Sequence, residues 1–399
     1  TILGLWGSRQ LMIEKPVLKP VIVCVGHILL DCFVSVSQAQ LKNVATLCPD
    51  LDPKGIQNSP IHVSSEKMEG ILRLLLGDDE PESERGPERC VNMAGVAGGG
   101  AKAGRLGRTE MVGRAARTAE GTQAATREGA IRVRAGGGAV NTAVAASILG
   151  MDARVLGGAG ADKAGRELAR LIRAAGPALD ARVVQGAATG VFLKLAVQGG
   201  EGRAYTVVSP GAAHTIAGAP IIDAIPQNGI LWIDGLLIDE LLWLQDLANV
   251  AHQRGSLVAM DVSTLGNAVE NADRLKDFAQ HHADYVFAND AEFSALYPFG
   301  LSTAPSVISD FSRAPMQSSW IVKQGPAGAL CICRDKTNRE SHIFRQPTEP
   351  LTLEDSTGAG DFFSAGFLHG VICGNDPDQC LREGNDTAGE LLLRCNSQL

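Results

Sequence analysis

No stretch of this 399-residue chain holds eighteen consecutive apolar residues, so it contains no run long enough to cross a bilayer as a helix. The first twenty residues also lack the unbroken apolar core and small-residue cleavage site of a secretory signal. The nine cysteines are odd in number and include no Cys-x-x-Cys pair, which argues against a disulfide framework. The one close pair, Cys331 and Cys333, alternates along an apolar, strand-like run. Eight scattered histidines show no metal-ligand spacing. Positive charge is in deficit: 36 basic residues face 44 acidic ones, and the formal charge is −8. The surface as a whole therefore does not favour a polyanion, and no nucleic acid partner is expected. A reduced, cytoplasmic setting without membrane association is the expectation, an upstream organellar targeting piece being left open because the chain starts at Thr1.

Two common nucleotide motifs are missing as well. None of the eleven lysines follows a glycine, which excludes a Gly-Lys-Ser/Thr phosphate loop. The dinucleotide fingerprint fails at Gly158-Ala-Gly160, because Lys163 occupies the third glycine position. Gly98-Gly-Gly100 with Ala103 fits loosely but follows no strand.

What the chain has is an ordinary apolar fraction of 45%, arranged in strand and helix patterns. Its length allows one or two cores. Val21-Ile-Val-Cys-Val25 ends at Gly26 as a buried parallel strand would. Residues 61–76 predict a short amphipathic helix capped by Ser64 or Ser65, with Met68, Ile71, Leu72 and Leu75 at helical spacing. From residue 136 onward, apolar runs at 155–156, 230–233, 257–260, 285–287 and 321–322 each follow a helix-like stretch. That alternation predicts an α/β fold: a doubly wound, mainly parallel sheet with helices on both faces. Runs at 191–197 and 203–208, flanking Gly199-Gly-Glu-Gly202, predict a β-hairpin that would form a small lid. Trp232 and Trp243 sit in apolar runs and read as core.

Between about 77 and 134 the composition shifts to Gly, Ala, Arg and Glu, with apolar residues too sparse to bury a face, which predicts a disordered insertion. The arginine surplus of residues 102–134 has no aromatic stacking partners and reads as solvated.

The sharpest chemical signal is Glu354-Asp-Ser-Thr-Gly-Ala-Gly-Asp361, running into a helix with Phe363, Phe367 and Val371 at i, i+4 and i+8. Gly358, Ala359 and Gly360 let the backbone approach a ligand closely, with free N–H groups and the positive end of the helix dipole facing it. An aspartate in a first helical turn is explained structurally by capping and the dipole. Beside an anion hole, however, Asp361 also supplies a base next to an electrophile, the two parts that phosphoryl transfer needs most.

Asp355-Ser-Thr-Gly-Ala-Gly-Asp361, together with Ala135-Gly-Gly-Gly-Ala-Val-Asn141 and the following Thr-Ala-Val-Ala-Ala-Ser-Ile-Leu-Gly150, resembles the two signatures of the ribokinase-like, or PfkB, carbohydrate kinases. The similarity runs from about Val21 to Leu393, apart from the insertion. It implies a kinase domain over 20–399 after an N-terminal extension at 1–19, interrupted at about 77–134, with a lid hairpin at about 190–208. It also implies transfer of the γ-phosphoryl of Mg·ATP to a hydroxyl of a sugar or sugar acid, with Asp361 as base. An adenosine-type nucleoside kinase and a catalytically idle relative acting as a scaffold are the alternatives, and a homodimer is left open.

By the same resemblance, Asp31, Gly137, Gly138 and Asn141 form the acceptor site. A carboxylate and an amide suit paired hydroxyls, since a deoxy analogue would leave each unsatisfied. Lys323, Gly325, Gly328, Asn385 and Ala388 lie against the nucleotide; lysine replaces the family's usual threonine at 323, and its charge could meet a phosphate. Asn289 and Glu292 hold Mg²⁺ largely through water, in line with that ion's retained hydration. Taken alone, Asn289 would only start a helix. Asp355 stands where some relatives bind K⁺, with an aspartate turn onto its own backbone as the competing role. The Gly-x-x-Gly-x-Asp-x-x-Gly element ending in Asp162 and Gly165 reads as a structural turn, and His27, after the first strand, as a polar residue without a catalytic role.

Overall fold

The computed structural model describes residues 19–52, 60–76, 131–198, 204–297, 318–334, 341–353 and 355–396. Its elements run β1 (Val21–Val25), β2 (Leu29–Val36), α1 (Gln38–Leu47), β3 (Ile61–His62), α2 (Ser65–Leu76), β4 (Ile131–Gly136), α3 (Gly138–Ile148), β5 (Asp152–Gly160), α4 (Lys163–Ala174) and β6 (Ala178–Val184). They continue with β7 (Val191–Val197), β8 (Ala204–Ser209), β9 (Ile230–Asp234), α5 (Leu241–Gln253), β10 (Leu257–Asp261), α6 (Leu265–Glu270), α7 (Ala272–His281), β11 (Tyr285–Asn289) and α8 (Asp290–Leu296). The last are β12 (Ser319–Lys323), β13 (Ala329–Arg334), β14 (Ser341–Gln346), α9 (Ala359–Ile372) and α10 (Pro377–Asn396).

The described residues belong to two compact units, one drawn from 19–30, 135–190 and 210–392, the other from 31–134, 191–209 and the last residues. In the larger unit a nine-stranded sheet has the order β14-β13-β12-β11-β10-β9-β1-β5-β6. The strands from β6 to β12 are parallel, and only β13 and β14 run against their neighbours. β9, β10 and β11 are buried along almost their whole length, as strands covered on both faces must be. One face carries an apolar cluster that includes Leu231, Ile233, Met260, Phe278, Phe293 and Trp320. Helix α3 packs on β1, β5 and α9, and its buried Ala139, Ala143, Ala145 and Ala146 allow that close approach.

The smaller unit holds a five-stranded sheet, β3-β8-β7-β2-β4. The expected hairpin is there as antiparallel β7 and β8, in register from Val191 opposite Ser209 to Ala196 opposite Ala204, as part of this larger sheet. Its turn, 199–202, lies outside the described residues, as do 1–18 of the expected N-terminal extension. The insertion needs a corrected boundary. Residues 131–134 are not loop but the start of β4, and Arg134 is buried. A composition window reads arginine as solvated, whereas an arginine facing a carboxylate can enter a sheet interior. Residues 77–130 lie outside the described residues. The helix expected over 61–76 starts at Ser65, and Ser64 Oγ accepts from the Lys67 amide at 3.2 Å as its cap.

The turn after β5 is structural, as expected. Asp162 caps α4 by accepting from Gly165 N–H at 2.7 Å, and it also accepts from Thr189 N–H at 2.8 Å and Thr189 Oγ1 at 2.5 Å. Burial works against its charge, but these hydrogen bonds outweigh it and hold the carboxyl below its usual range. Asp162→Ala removes every one of them, and we expect a loss of about 1–3 kcal/mol, read as a lower denaturant midpoint at constant slope. An unchanged midpoint would mean that the turn holds without its carboxylate.

Candidate active site

Strand order reverses beside β1: β5 and β6 extend to one side, β9 to β12 to the other. In a doubly wound sheet the carboxyl ends of the strands at such a reversal open into the ligand crevice. Each apolar strand here releases a polar or small residue at that end: Gly26 after β1, Asp234 closing β9, Asp261 closing β10, Asn289 closing β11 and Lys323 closing β12.

Helix α9 starts at the same edge. Its N-cap is Gly358, at φ 89°, a left-handed backbone that favours glycine. The amide of Ala359 bonds to Ser356 O at 3.1 Å and that of Phe362 to Gly358 O at 2.9 Å. The amides of Gly360 and Asp361, in the first turn, have no acceptor within the helix and supply the positive end of its dipole. Asp361 is half-buried, and its Oδ2 accepts from Asn141 Nδ2 at 2.8 Å. A side chain at Gly138 would stand 3.5 Å from Asp361 Oδ1 and 3.1 Å from the Trp232 ring, so glycine there keeps the carboxylate open. Gly137 turns the chain into α3 at φ 91°, against the His27 carbonyl. Burial, then Asp261, then the more weakly acting Asp234 push the Asp361 carboxyl up to about 7, with Asn141 and Lys323 pulling against them. Such a carboxyl exchanges its proton near neutrality, which is what a general base requires.

A continuous polar chain lies beneath. His214 Nδ1 meets His27 Nε2 at 2.7 Å, and His27 Nδ1 meets Asp234 Oδ2 at 2.9 Å. Ser263 Oγ donates to Asp234 Oδ1 at 2.7 Å, and the Ser263 amide donates to Asp261 Oδ1 at 3.0 Å. These two bonds account for the positive φ of Ser263, 77°, which a serine rarely adopts. Lys323 Nζ then donates to Asp261 Oδ2 at 2.6 Å. Burial opposes the ammonium, but Asp261, Glu292 and Asp361 outweigh it and raise the Lys323 pKa. A side chain at Gly360 would come within 3.0 Å of that ammonium, so Lys323 lies directly against the 358–360 loop.

The expected magnesium pair forms a reciprocal helix cap. Asn289 Oδ1 accepts from the Glu292 amide, while Glu292 Oε2 and Oε1 accept from the Asn289 amide and side chain at 2.8 and 2.7 Å. Burial and Asp261 raise the Glu292 pKa against Lys323 and Asn289. Both of its oxygens being engaged, the pair fits a hydrated cation held mainly by phosphates better than direct ligation. Among the described residues no group of three or more His, Cys, Asp or Glu side chains could hold a metal ion by itself.

The other nucleotide candidates gather around Gln346 and Pro347. Gly328, at φ 94°, lies so close that a side chain there would collide with Gln346 O, and Gly325 opens the same turn. Asn385 Nδ2 donates to Gln346 O at 3.2 Å, with Ala388 half-buried one turn on. Asp355 Oδ1 accepts from the Thr357 amide at 3.0 Å and its hydroxyl at 2.6 Å, the aspartate turn anticipated as its competing role. In the smaller unit, Asp31 is buried on β2 and paired with Arg134 Nε at 3.2 Å.

Asp234 and Asp261, and the pairing of Lys323 with Asp261, were not anticipated from the sequence. An acidic residue closing a wholly apolar run, as in Leu-Trp-Ile-Asp234 and Val-Ala-Met-Asp261, was the available signal.

The profile described as pfkB family carbohydrate kinase matches residues 108–398, most of the chain, so β1 and Asp31 precede it. The ribokinase of Bacillus subtilis (strain 168) is 28% identical over 258 residues, 63% of this chain and 79% of that protein. The ATP-dependent ribose-1-phosphate kinase of Halopiger xanaduensis is 27% identical over 257 residues, 64% and 79% respectively. The fold matches a crystal structure of adenosine kinase from Sinorhizobium meliloti with a TM-score of 0.64 at 19% identity, covering 94% of each chain. With the profile spanning both signatures, the chain belongs to the pfkB family of carbohydrate kinases and is a phosphotransferase.

Proposed function

We propose that this kinase moves the γ-phosphoryl of ATP to a primary hydroxyl of a small sugar or sugar acid, with Asp361 taking the hydroxyl proton. The observation that carries the reading is the Asp361 carboxyl on the first turn of α9, beside the 358–360 loop and held by Asn141, where burial pushes its pKa up to about 7. With Oδ2 engaged by Asn141, Oδ1 is left to accept the proton, and Gly138 keeps the approach to it clear. Asn141 thus acts through Asp361 as a positioning residue, in addition to any contact with the acceptor. The amides of Gly360 and Asp361 and the nearby Lys323 oppose negative charge developing on the transferred group. Bound Mg·ATP supplies the electrophilic phosphoryl group, with Asn289 and Glu292 holding the hydrated ion and the turn at Gly325 and Gly328, with Asn385 and Ala388, bordering the base. Asp355 is kept as a candidate ligand for a monovalent cation. Relatives named for ribose and ribose 1-phosphate support a sugar acceptor, while a relative and solved structures named as adenosine kinases support the nucleoside alternative.

ATP turnover against a panel of sugars, sugar acids and nucleosides tests the reading. On the best acceptor, kcat/KM should rise with pH and level off above about 7, because Asp361 works only when deprotonated. A flat profile from about pH 5.5 to 9 would remove Asp361 as the base.

A further inference from the structure

The two ends of the nine-stranded sheet are unlike. At β14 the last carbonyl, Gln346 O, accepts from Asn385 Nδ2, and Pro347 follows directly. At the other end, among the described residues, no strand pairs with the outer side of β6. Val184 O accepts from the Ala161 amide at 3.1 Å and so faces β5. In a parallel ladder both backbone groups of a residue face the same neighbour and the facing alternates along the strand, which turns the N–H and C=O of Leu179, Ala181 and Val183 outward. Such an edge is a template for a further strand unless proline, lysine or a bulge blunts it. β6, Ala-Leu-Asp-Ala-Arg-Val-Val, has none of these. Its Val183 is 59% exposed, on the same strand face as half-buried Leu179. A cleft of about 1020 Å³ follows the edge, between Arg166, Ala169 and Arg173 of α4 and Ile216, Ala219 and Ile221, and leaves room for an added strand.

The sequence of β6 indicates which strand fits. An antiparallel copy of β6, related by a two-fold axis at Ala181, pairs Ala181 with its own copy and Leu179 with the copy's Val183. These are the residues whose backbone groups face outward, so each pair exchanges both hydrogen bonds. Asp180 then stands opposite the copy's Arg182 at the non-hydrogen-bonded positions, where side chains come closest. On the other face Leu179 covers the copy's exposed Val183. Moving the axis to Leu179 or Val183 keeps the hydrogen bonding but sets Asp180 against Ala178, or Arg182 against Val184, and no charge is matched. The partners these two residues already have compete weakly. Arg154 Nη1 stands 3.7 Å from Asp180 with both side chains exposed, and Arg182 engages Thr215 O at 2.7 Å through Nη1 alone. Arg166 and Arg173 are exposed, and their long stems keep the charges at the rim in water.

We propose that the outer edge of β6 docks a second copy of this chain, the two joined by antiparallel β6 pairing about Ala181 into one continuous sheet.

Sedimentation of the full chain at micromolar concentrations tests this, and the wild type should run at about twice the chain mass. Asp180→Arg places an arginine opposite the copy's Arg182, and Arg182→Asp places an aspartate opposite the copy's Asp180. Each variant alone should weaken the dimer by about a hundredfold or more and run as a monomer. Mixed in equal amounts, the two should recover the wild-type mass, because every charge across the pair is then matched. Ala181→Pro removes the central outward N–H at a position where an edge strand tolerates proline, and it too should leave a monomer. A cooperative melt for each variant separates loss of the dimer from loss of the fold, and where a charge variant does not fold, Ala181→Pro decides. A wild type that stays monomeric at every concentration reached overturns the proposal. So does a dimer that survives Ala181→Pro, and so do folded charge variants that dimerise alone or stay monomeric when mixed.

Discussion

Asp361→Asn should lower kcat by about 10²–10⁴-fold, the usual worth of a general base, while the variant should fold and bind nucleotide as its parent does. The amide is nearly isosteric, its oxygen can still accept from Asn141 Nδ2, and it can still occupy the first turn of α9, so a merely structural aspartate would tolerate it. What it cannot do is accept a proton. The same substitution should raise the melting temperature at pH values above neutrality. The wild-type carboxyl titrates at about 7 in the fold, against the ordinary value of 3.8, so the folded state holds the extra proton between those two pH values. Stability of the parent therefore falls as pH rises through that window, and the amide variant is spared the loss. Its melting advantage should grow from about pH 4 to about pH 7 and then stay constant. Full turnover in a stably folded Asp361→Asn protein would remove Asp361 as the general base.

Much of this was readable before any coordinates. β1 and β9 to β12 are continuous apolar runs because parallel strands are covered on both faces, and such runs stand out. The loop at 358–360 stands out for a related reason, since a close backbone approach leaves no residue choice but small ones. β6 and β14 were missed because edge strands need bury only one side: Ala178–Val184 and Ser341–Gln346 are largely exposed or half-exposed and carry no clear pattern. Arg134 was missed because its burial depends on Asp31, more than a hundred residues away in the chain. Pairing across such distances has no local trace. The same holds for Lys323, whose partner Asp261 only the sheet order brings alongside.

That pairing carries the second large effect. Lys323→Met should destabilise the protein by about 3–5 kcal/mol, because it leaves Asp261 and Glu292 buried without their cation. It should also move the acid limb of the kcat/KM profile above about 7, since Lys323 is one of the two groups that hold the Asp361 pKa down. Adding Asp261→Asn should restore much of the lost stability, as removing both partners of a buried pair costs less than removing one. Were Lys323 instead a free phosphate ligand, the single substitution would raise the KM for ATP and leave the unfolding midpoint in place.

The strand order has a consequence for synthesis. Gly26 and Asp361 stand at the same sheet edge but leave the ribosome with more than three hundred residues between them. Strands β1, β5, β6 and β9 to β12 are all translated before the 355–372 segment, so a nascent chain can close its parallel sheet while the 358–360 loop and Asp361 are still inside the exit tunnel. Helix α3, which packs against α9 in the finished fold, waits meanwhile with its small-residue face uncovered. A ribosome-stalled chain ending near residue 350 should therefore expose an apolar seam along α3 to chaperones, and that seam disappears within the next few dozen codons.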